Sequence, residues 1–122
     1  EFGVRKLNVG HIIVLGHAHC GGIHALLEGD MRKEDAFISE WMGIADAARE
    51  RANREFADAG SAVRHRACEQ HAILVSLDNL MTFPWICERV EQGTLALHGW
   101  YFDIERGELL GYNAAARQFE VL

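Results

Sequence analysis

The sequence predicts an α/β fold in which a parallel β-sheet core is flanked by helices. His11–Leu15 is a short apolar run rich in β-branched residues, which is typical of a strand buried on both faces inside a parallel sheet. Gly16 ends this run, and a helical pattern opens at Gly21-Gly22 and ends at Gly29. A second apolar run, Leu95–Ile104, predicts another strand of the same sheet. The order helix, strand, loop, helix is one repeat of an α/β fold.

The other elements follow from apolar spacing and from glycine and proline positions. Between Ala36 and Phe56 the apolar residues recur at intervals of three and four, which predicts an amphipathic helix with Trp41 on its buried side, against a partner subunit. Pro84 is suited to the first turn of a helix. The remaining predicted elements are the end of a helix at Glu1–Leu7, a long helix at Ser61–Met81, a short helix at Pro84–Val90, a turn at Arg106-Gly107, and edge strands at Leu109–Tyr112 and Phe119–Leu122.

Length and composition fit one domain and exclude several functions. The 122 residues, 49% of them hydrophobic, fit a single domain spanning 1–122, because domains most often have about 100–150 residues. The net charge of −6 and the scattered Lys and Arg residues argue against binding nucleic acid or an anionic membrane. There is no signal-peptide pattern and no run of about 18 apolar residues. We therefore expect a cytoplasmic protein whose partner is a small molecule or a second copy of itself.

The cysteines are not equivalent. An odd number, three, in a chain without a secretory signal argues against a complete disulfide framework. Cys68 and Cys87 lie in helical, apolar surroundings, where a free cysteine behaves as a small hydrophobic residue. Cys20 lies instead beside histidines and glycines, so it is the candidate for metal binding.

The segment Gly16–Gly22 carries the chemistry that the sequence predicts. It lies between a buried strand and a helix, which is where ligands bind in α/β sheets. His17 and Cys20 form a His-x-x-Cys pair, and these are the side chains that zinc prefers. Gly21 and Gly22 allow close approach of the backbone, and their N–H groups can hold an anion at the helix start. Because many strand-to-helix turns contain glycine, a purely structural turn is the alternative.

The string Val14–Gly22 resembles the second metal motif of β-class carbonic anhydrases: glycine, histidine, two variable residues, cysteine and two glycines after a hydrophobic strand. The resemblance covers nearly the whole chain. Its further segments are Glu1–Val4, Trp41, Asn79-Leu80 with Pro84, His98–Trp100, Asp103-Ile104 and Gly107–Leu109.

The resemblance implies a zinc lyase that interconverts carbon dioxide and bicarbonate. His17 and Cys20 match two of the family's zinc ligands, and the N–H groups of Gly21 and Gly22 are expected to bind substrate. Family members are built from dimers, so a homo-oligomer is expected. Phe102 matches a tyrosine that helps to bind regulatory bicarbonate in some members, which argues against that regulation in this chain.

The other histidines receive more ordinary interpretations. His19 falls on a variable position of the motif and is expected to face solvent or to support the ligands, with direct ligation as the alternative. His98 matches a common family residue with a packing role. The remaining histidines are expected at the surface or with satisfied partners in the core; they are His11, His24, His65 and His71.

One part of the family pattern is missing. The first metal motif, Cys-x-Asp-x-Arg, does not occur in the 122 residues, so no catalytic residue is assigned within this chain and the Asp–Arg pair is expected upstream. We expect an N-terminal half, as a separate chain or an absent segment, to complete the site, and this chain alone to be inactive. The alternatives are a hydrolase of the same fold that acts on carbonyl sulfide or carbon disulfide, and an inactive zinc-binding or structural fragment.

Overall fold

The computed structural model describes residues 1–29 and 36–122. Within these ranges, no helix is both long and apolar enough to cross a membrane. The helices are α1 (Phe2–Arg5), α2 (Gly21–Glu28), α3 (Ala36–Met42), α4 (Asp46–Glu55), α5 (Ser61–Met81) and α6 (Pro84–Glu91), with a 3₁₀ turn at Gly43–Ala45 between α3 and α4. The strands are β1 (His11–His17), β2 (Ala96–Asp103), β3 (Glu108–Asn113) and β4 (Gln118–Val121).

The four strands form one mixed sheet in the order β1-β2-β3-β4. The predicted parallel pair is confirmed, because β1 runs parallel to β2, with Gly16 opposite Tyr101 and His17 opposite Phe102. The sheet is not parallel throughout: short turns at 104–107 and 114–117 reverse the chain, so β2, β3 and β4 pair antiparallel. The prediction of two edge strands after β2 is therefore wrong for β3, which lies between β2 and β4.

The sequence predicted that strand β1 is buried on both faces, but one face of the strand is exposed in this chain. Exposure alternates along it: Ile12 and Val14 are half-buried, whereas Ile13 and Leu15 are exposed, Leu15 at 60%. Among the described residues, β1 pairs with β2 alone and forms one edge of the sheet. An apolar run does not distinguish a strand covered on both sides from one whose second face and second edge lack a neighbour within the chain.

Helix α5 lies very close to the sheet because two glycines face it. A Cβ atom built on Gly16 would come within 2.8 Å of the side chain of Ile73, and one on Gly99 within 2.9 Å of both Ile73 and Leu77. Real Cβ atoms do not approach other atoms this closely, so a side chain at either position would push the helix outward. The side chain of Ile73 is buried where α5 packs on these two strands.

The other helices extend the core around α5. One cluster joins α2, the end of α3, α4 and α5; its buried members are Ile23, Leu26, Met42, Ala48, Ala52, Ala67 and Cys68. A smaller cluster joins α1 and α6 to the start of β2 through Val4, Ile86 and Leu95.

The amphipathic helix predicted over Ala36–Phe56 is interrupted, and part of its apolar side faces solvent. The 3₁₀ turn at Gly43–Ala45 separates α3 from α4. Ala48 is buried, but Trp41 is 69% exposed and Ile44 is exposed as well. The prediction that Trp41 is buried against a partner subunit stays a prediction, because a single chain contains no partner to cover it.

Packing of α5 on the sheet generates a stability prediction. Gly99→Val should lower the free energy of unfolding by about 1–3 kcal/mol, because the added side chain overlaps Ile73 and Leu77 in a filled core. Gly10→Ala is the matched control: nothing lies within 4 Å of its added Cβ, so the change should stay within about 0.5 kcal/mol. Denaturant unfolding followed by circular dichroism measures both. Equal stability of the two variants would contradict the close approach.

Candidate active site

The chain passes from β1 into α2 through a three-residue turn, Ala18–Cys20. The N–H of Ala18 donates to the carbonyl of Phe102 at 2.9 Å, which holds the start of the turn against β2. His19 has a positive φ of 56°, and Cys20 is extended at the N-cap of α2. The predicted site therefore lies at the carboxyl end of β1 and at the N-terminus of a helix.

His17, the last residue of β1, is prepared for metal binding by its own hydrogen bond. Its Nδ1 lies 2.9 Å from the carbonyl oxygen of Ala18. Because a carbonyl oxygen only accepts, Nδ1 must carry the proton, and Nε2 is left with a free lone pair. A backbone carbonyl bonded to one ring nitrogen is the usual partner of a histidine that ligates metal through the other. The residue thus fits the role of a zinc ligand.

Cys20 is half-buried, and its backbone is held from the helix side of the sheet. Its N–H donates to Oε1 of Glu69, on α5, at 2.9 Å. The side chain of Cys20 lines two clefts at once. Cys20 and His17 both line the more apolar of these clefts.

The two clefts differ in character and meet at Cys20 and Glu69. The apolar cleft, of about 480 Å³, is also lined by His17, Leu15 and Met42. The polar cleft, of about 560 Å³, is lined by charged and polar side chains from α5 and β2. These include His65, Arg66, Tyr101 and Asp103.

The two glycines predicted to bind substrate face different clefts. Gly22 lines the apolar cleft, and an added Cβ there would come within 3.0 Å of the sulfur of Met42 and 3.9 Å of that of Cys20. Gly21 lines the polar cleft and has open space around it. Gly22 therefore shares a cleft with both predicted metal ligands, whereas Gly21 shares one with Cys20 alone.

Within residues 1–29 and 36–122, no three His, Cys, Asp or Glu side chains are grouped as a metal site. His19 lies 2.9 Å from Glu105 on the side of the polar cleft. Cys68 is fully buried, and this burial raises the pKa of its thiol to about 11, so it remains protonated. Cys87 donates to Glu91 at 3.4 Å. His17 and Cys20, which line one cleft, therefore remain the predicted metal pair.

The remaining histidines take part in local pairs. His65 lies 3.0 Å from Glu28 and packs edge-on against His24. His11 and His98 share a hydrogen bond of 3.0 Å between adjacent strands. His71 departs from the expectation of satisfied partners, because its Nδ1 is buried without a hydrogen-bond partner among the described residues, and burial lowers its pKa.

A buried polar network behind Cys20 was missed by sequence reasoning. Oε2 of Glu69 accepts the hydroxyl of Tyr101 at 2.7 Å. Arg66 lies 5.7 Å from the centre of the Tyr101 ring and pairs with Asp103. Burial and the Glu69 carboxylate raise the pKa of Tyr101, so the phenol stays protonated. The signal was Glu69 itself, a charged residue four positions before Ile73 on the apolar side of α5.

Burial raises the pKa of Asp103, but opposing groups outweigh it. The amide N–H of Arg106 and the guanidinium of Arg66 lower the pKa of Asp103 most, and the amide N–H of Glu105 lowers it further. The pKa of Asp103 therefore lies below its ordinary value. Asp103 is therefore ionised at neutral pH and holds Arg66 at the rim of the polar cleft.

Comparisons with known proteins show which family the chain resembles. The family model for carbonic anhydrase matches residues 1–109. β-Carbonic anhydrase 5, chloroplastic, of Arabidopsis thaliana is 40% identical over 107 residues, covering 84% of this chain and 35% of the relative. The carbonic anhydrase of Pseudomonas aeruginosa is 36% identical over 119 residues, covering 98% of this chain and 54% of the relative.

Comparison with solved structures shows the same family fold. The solved structure of the β-carbonic anhydrase CcaA matches with a TM-score of 0.94 and 30% identity, covering 99% of this chain and 59% of that one. The chain thus spans about half the length of these relatives, or less. The matched family model, the identities and the shared fold show that the chain belongs to the β-class carbonic anhydrases.

Proposed function

We propose that this chain forms the C-terminal half of a zinc-dependent carbonic anhydrase that interconverts carbon dioxide and bicarbonate. The observation that carries the proposal is the bond from His17 Nδ1 to the carbonyl of Ala18, which leaves Nε2 free in a residue that lines the same cleft as Cys20. An imidazole with a fixed tautomer and a cysteine at one strand end are the donors that zinc prefers.

In this proposal His17 and Cys20 are two of the zinc ligands, and an upstream segment supplies the remaining protein ligand. Bound zinc supplies a Lewis acid that lowers the pKa of a coordinated water towards about 7. A catalytic zinc site has about three protein ligands, so the cysteine of an upstream Cys-x-Asp-x-Arg motif is the expected third. The aspartate and arginine of that motif would orient the reacting groups.

The edge of the sheet supports this association. Strand β1 has one paired edge among the described residues, and Ile13 and Leu15 are exposed beside it. A strand of the upstream half, added along β1, would satisfy the free backbone groups, and a helix of that half could cover the sheet face that carries both side chains. It would also arrive directly beside His17.

The exposed apolar side chains of α3 support an oligomer. Phe37 and Trp41 are exposed, as is Ile44 in the turn that follows. Large neighbouring apolar side chains on a surface are typical of an interface with another protein. A related structure comes from a tetrameric β-carbonic anhydrase of Sordaria macrospora, and we propose a homo-oligomer built from dimers for this chain.

The apolar cleft suits a small, uncharged substrate. Leu15 and Met42 give the cleft that His17 lines apolar walls, which favours carbon dioxide. The first N–H groups of α2, at Gly21 and Gly22, have no partner within the helix and can donate to bicarbonate oxygens. A cytoplasmic location completes the proposal, although relatives include enzymes named as chloroplastic and mitochondrial.

Removal of one ligand should remove the metal. In protein that contains the upstream motif, Cys20→Ser should abolish stoichiometric zinc, because a serine hydroxyl is a much poorer zinc ligand than a thiolate. Cys87→Ser is the matched control, since that side chain bonds Glu91 on α6, and it should retain zinc. Elemental analysis after dialysis measures both. Stoichiometric zinc in the Cys20→Ser protein would contradict the assignment.

The chain alone should not hydrate carbon dioxide. Residues 1–122, supplied with zinc, should show no turnover above zinc in buffer, because two ligands do not complete a catalytic site. Addition of the upstream half should restore hydration in a stopped-flow assay. A parallel assay with carbonyl sulfide tests the alternative substrate. Hydration by the chain alone would show that another residue, such as His19, completes the site.

A further inference from the structure

Glu69 is a buried carboxylate whose two oxygens are both used. It is 6% exposed, in the middle of α5, on the side that faces the sheet. Oε1 accepts the N–H of Cys20 at 2.9 Å and Oε2 accepts the hydroxyl of Tyr101 at 2.7 Å. A buried carboxylate is costly unless its acceptors are satisfied, so its retention here requires both partners.

The geometry of these two bonds suits a carboxylate better than an amide. The backbone N–H of Cys20 can only donate, and the carboxylate accepts from it and from Tyr101 at once. A glutamine offers one acceptor oxygen, so it can keep the bond to Cys20 by turning its amide nitrogen towards Tyr101. An alanine loses both bonds and leaves the N–H of Cys20 without its partner.

Tyr101 holds Glu69 in place from the sheet. It is fully buried in β2, and its ring packs against Phe119 and beneath Arg66. Its hydroxyl therefore has a fixed position, and it orients the carboxylate towards the turn. The connection runs from β2, through one side chain of α5, to the backbone of Cys20.

This bond fixes the second end of the turn that carries the predicted ligands. The first end is held by the N–H of Ala18 on the carbonyl of Phe102. Cys20 is the N-cap residue of α2, and its side chain makes no capping hydrogen bond. The backbone N–H of Cys20 donates to Glu69. The direction of the Cys20 thiol relative to His17 thus depends on Glu69.

We propose that Glu69 is a positioning residue that sets the backbone of Cys20 for metal ligation, with Tyr101 orienting its carboxylate. This inference rests on the proposed zinc site. Outer partners of metal ligands typically change metal affinity by about 10–100-fold when removed. Zinc binding, rather than activity, is therefore the property that should respond.

The test measures the zinc dissociation constant by competition with a chelator, in the zinc-loaded protein that includes the upstream motif. Glu69→Ala should weaken zinc binding by about 10–100-fold, and Glu69→Gln should restore most of the loss. Tyr101→Phe should weaken binding by about threefold or more, since the carboxylate remains but is no longer oriented. All measurements are made below the thermal unfolding of each variant.

Ile86→Ala is the matched control. Ile86 is buried in the separate cluster of α1, α6 and the start of β2, so its truncation should lower the melting temperature and leave zinc affinity unchanged. If Glu69→Ala does not fold, Glu69→Gln and Tyr101→Phe decide the question.

Three results separate the proposals. Zinc absent from the unsubstituted protein, or retained after Cys20→Ser, would overturn the metal site itself. Zinc lost after Cys20→Ser but bound unchanged by Glu69→Ala, or by Tyr101→Phe where Glu69→Ala does not fold, would overturn the role of Glu69 alone. An equal loss in Ile86→Ala would also overturn it, because general destabilisation would then explain the effect.

Discussion

The close approach of α5 to strands β1 and β2 is the constraint on which the rest of the structure depends. Ile73 occupies space that Gly16 and Gly99 leave free, so the helix rests almost directly on the sheet backbone. Glu69 lies one helical turn before Ile73, and at this depth its carboxylate reaches both Tyr101 and the N–H of Cys20. A helix displaced by the width of one methyl group would lose this reach. The packing of α5 in the core therefore also determines the hydrogen bonds that Glu69 makes at the site.

The local elements were accessible from the sequence. The long helix begins and ends at Ser61 and Met81 as predicted, and α2 ends at Gly29 in a left-handed conformation. Local signals such as glycine caps and apolar spacing decide these boundaries. The position of His17 and Cys20 at the end of a strand was predicted for the same reason, since the motif itself carries the strand and the helix start.

What the sequence did not reveal depends on neighbours distant along the chain. The apolar run of β1 does not show that Ile13 and Leu15 lack cover within this chain, because a covered strand has the same composition. The apolar spacing of Ala36–Phe56 contains no sign of the 3₁₀ turn that separates α3 from α4. The bond between Glu69 and Cys20 joins residues 49 positions apart, and no local pattern records it.

The free edge of β1 also bears on how this polypeptide behaves outside its proposed assembly. A row of unpaired backbone donors and acceptors, flanked by exposed Ile13 and Leu15, is a template on which another extended chain can add. Copies of the chain at high concentration would compete for that edge and aggregate through strand addition. The isolated chain should therefore be produced at low concentration, or together with the upstream segment that is proposed to occupy the edge. The same geometry makes self-association the main competitor of correct assembly.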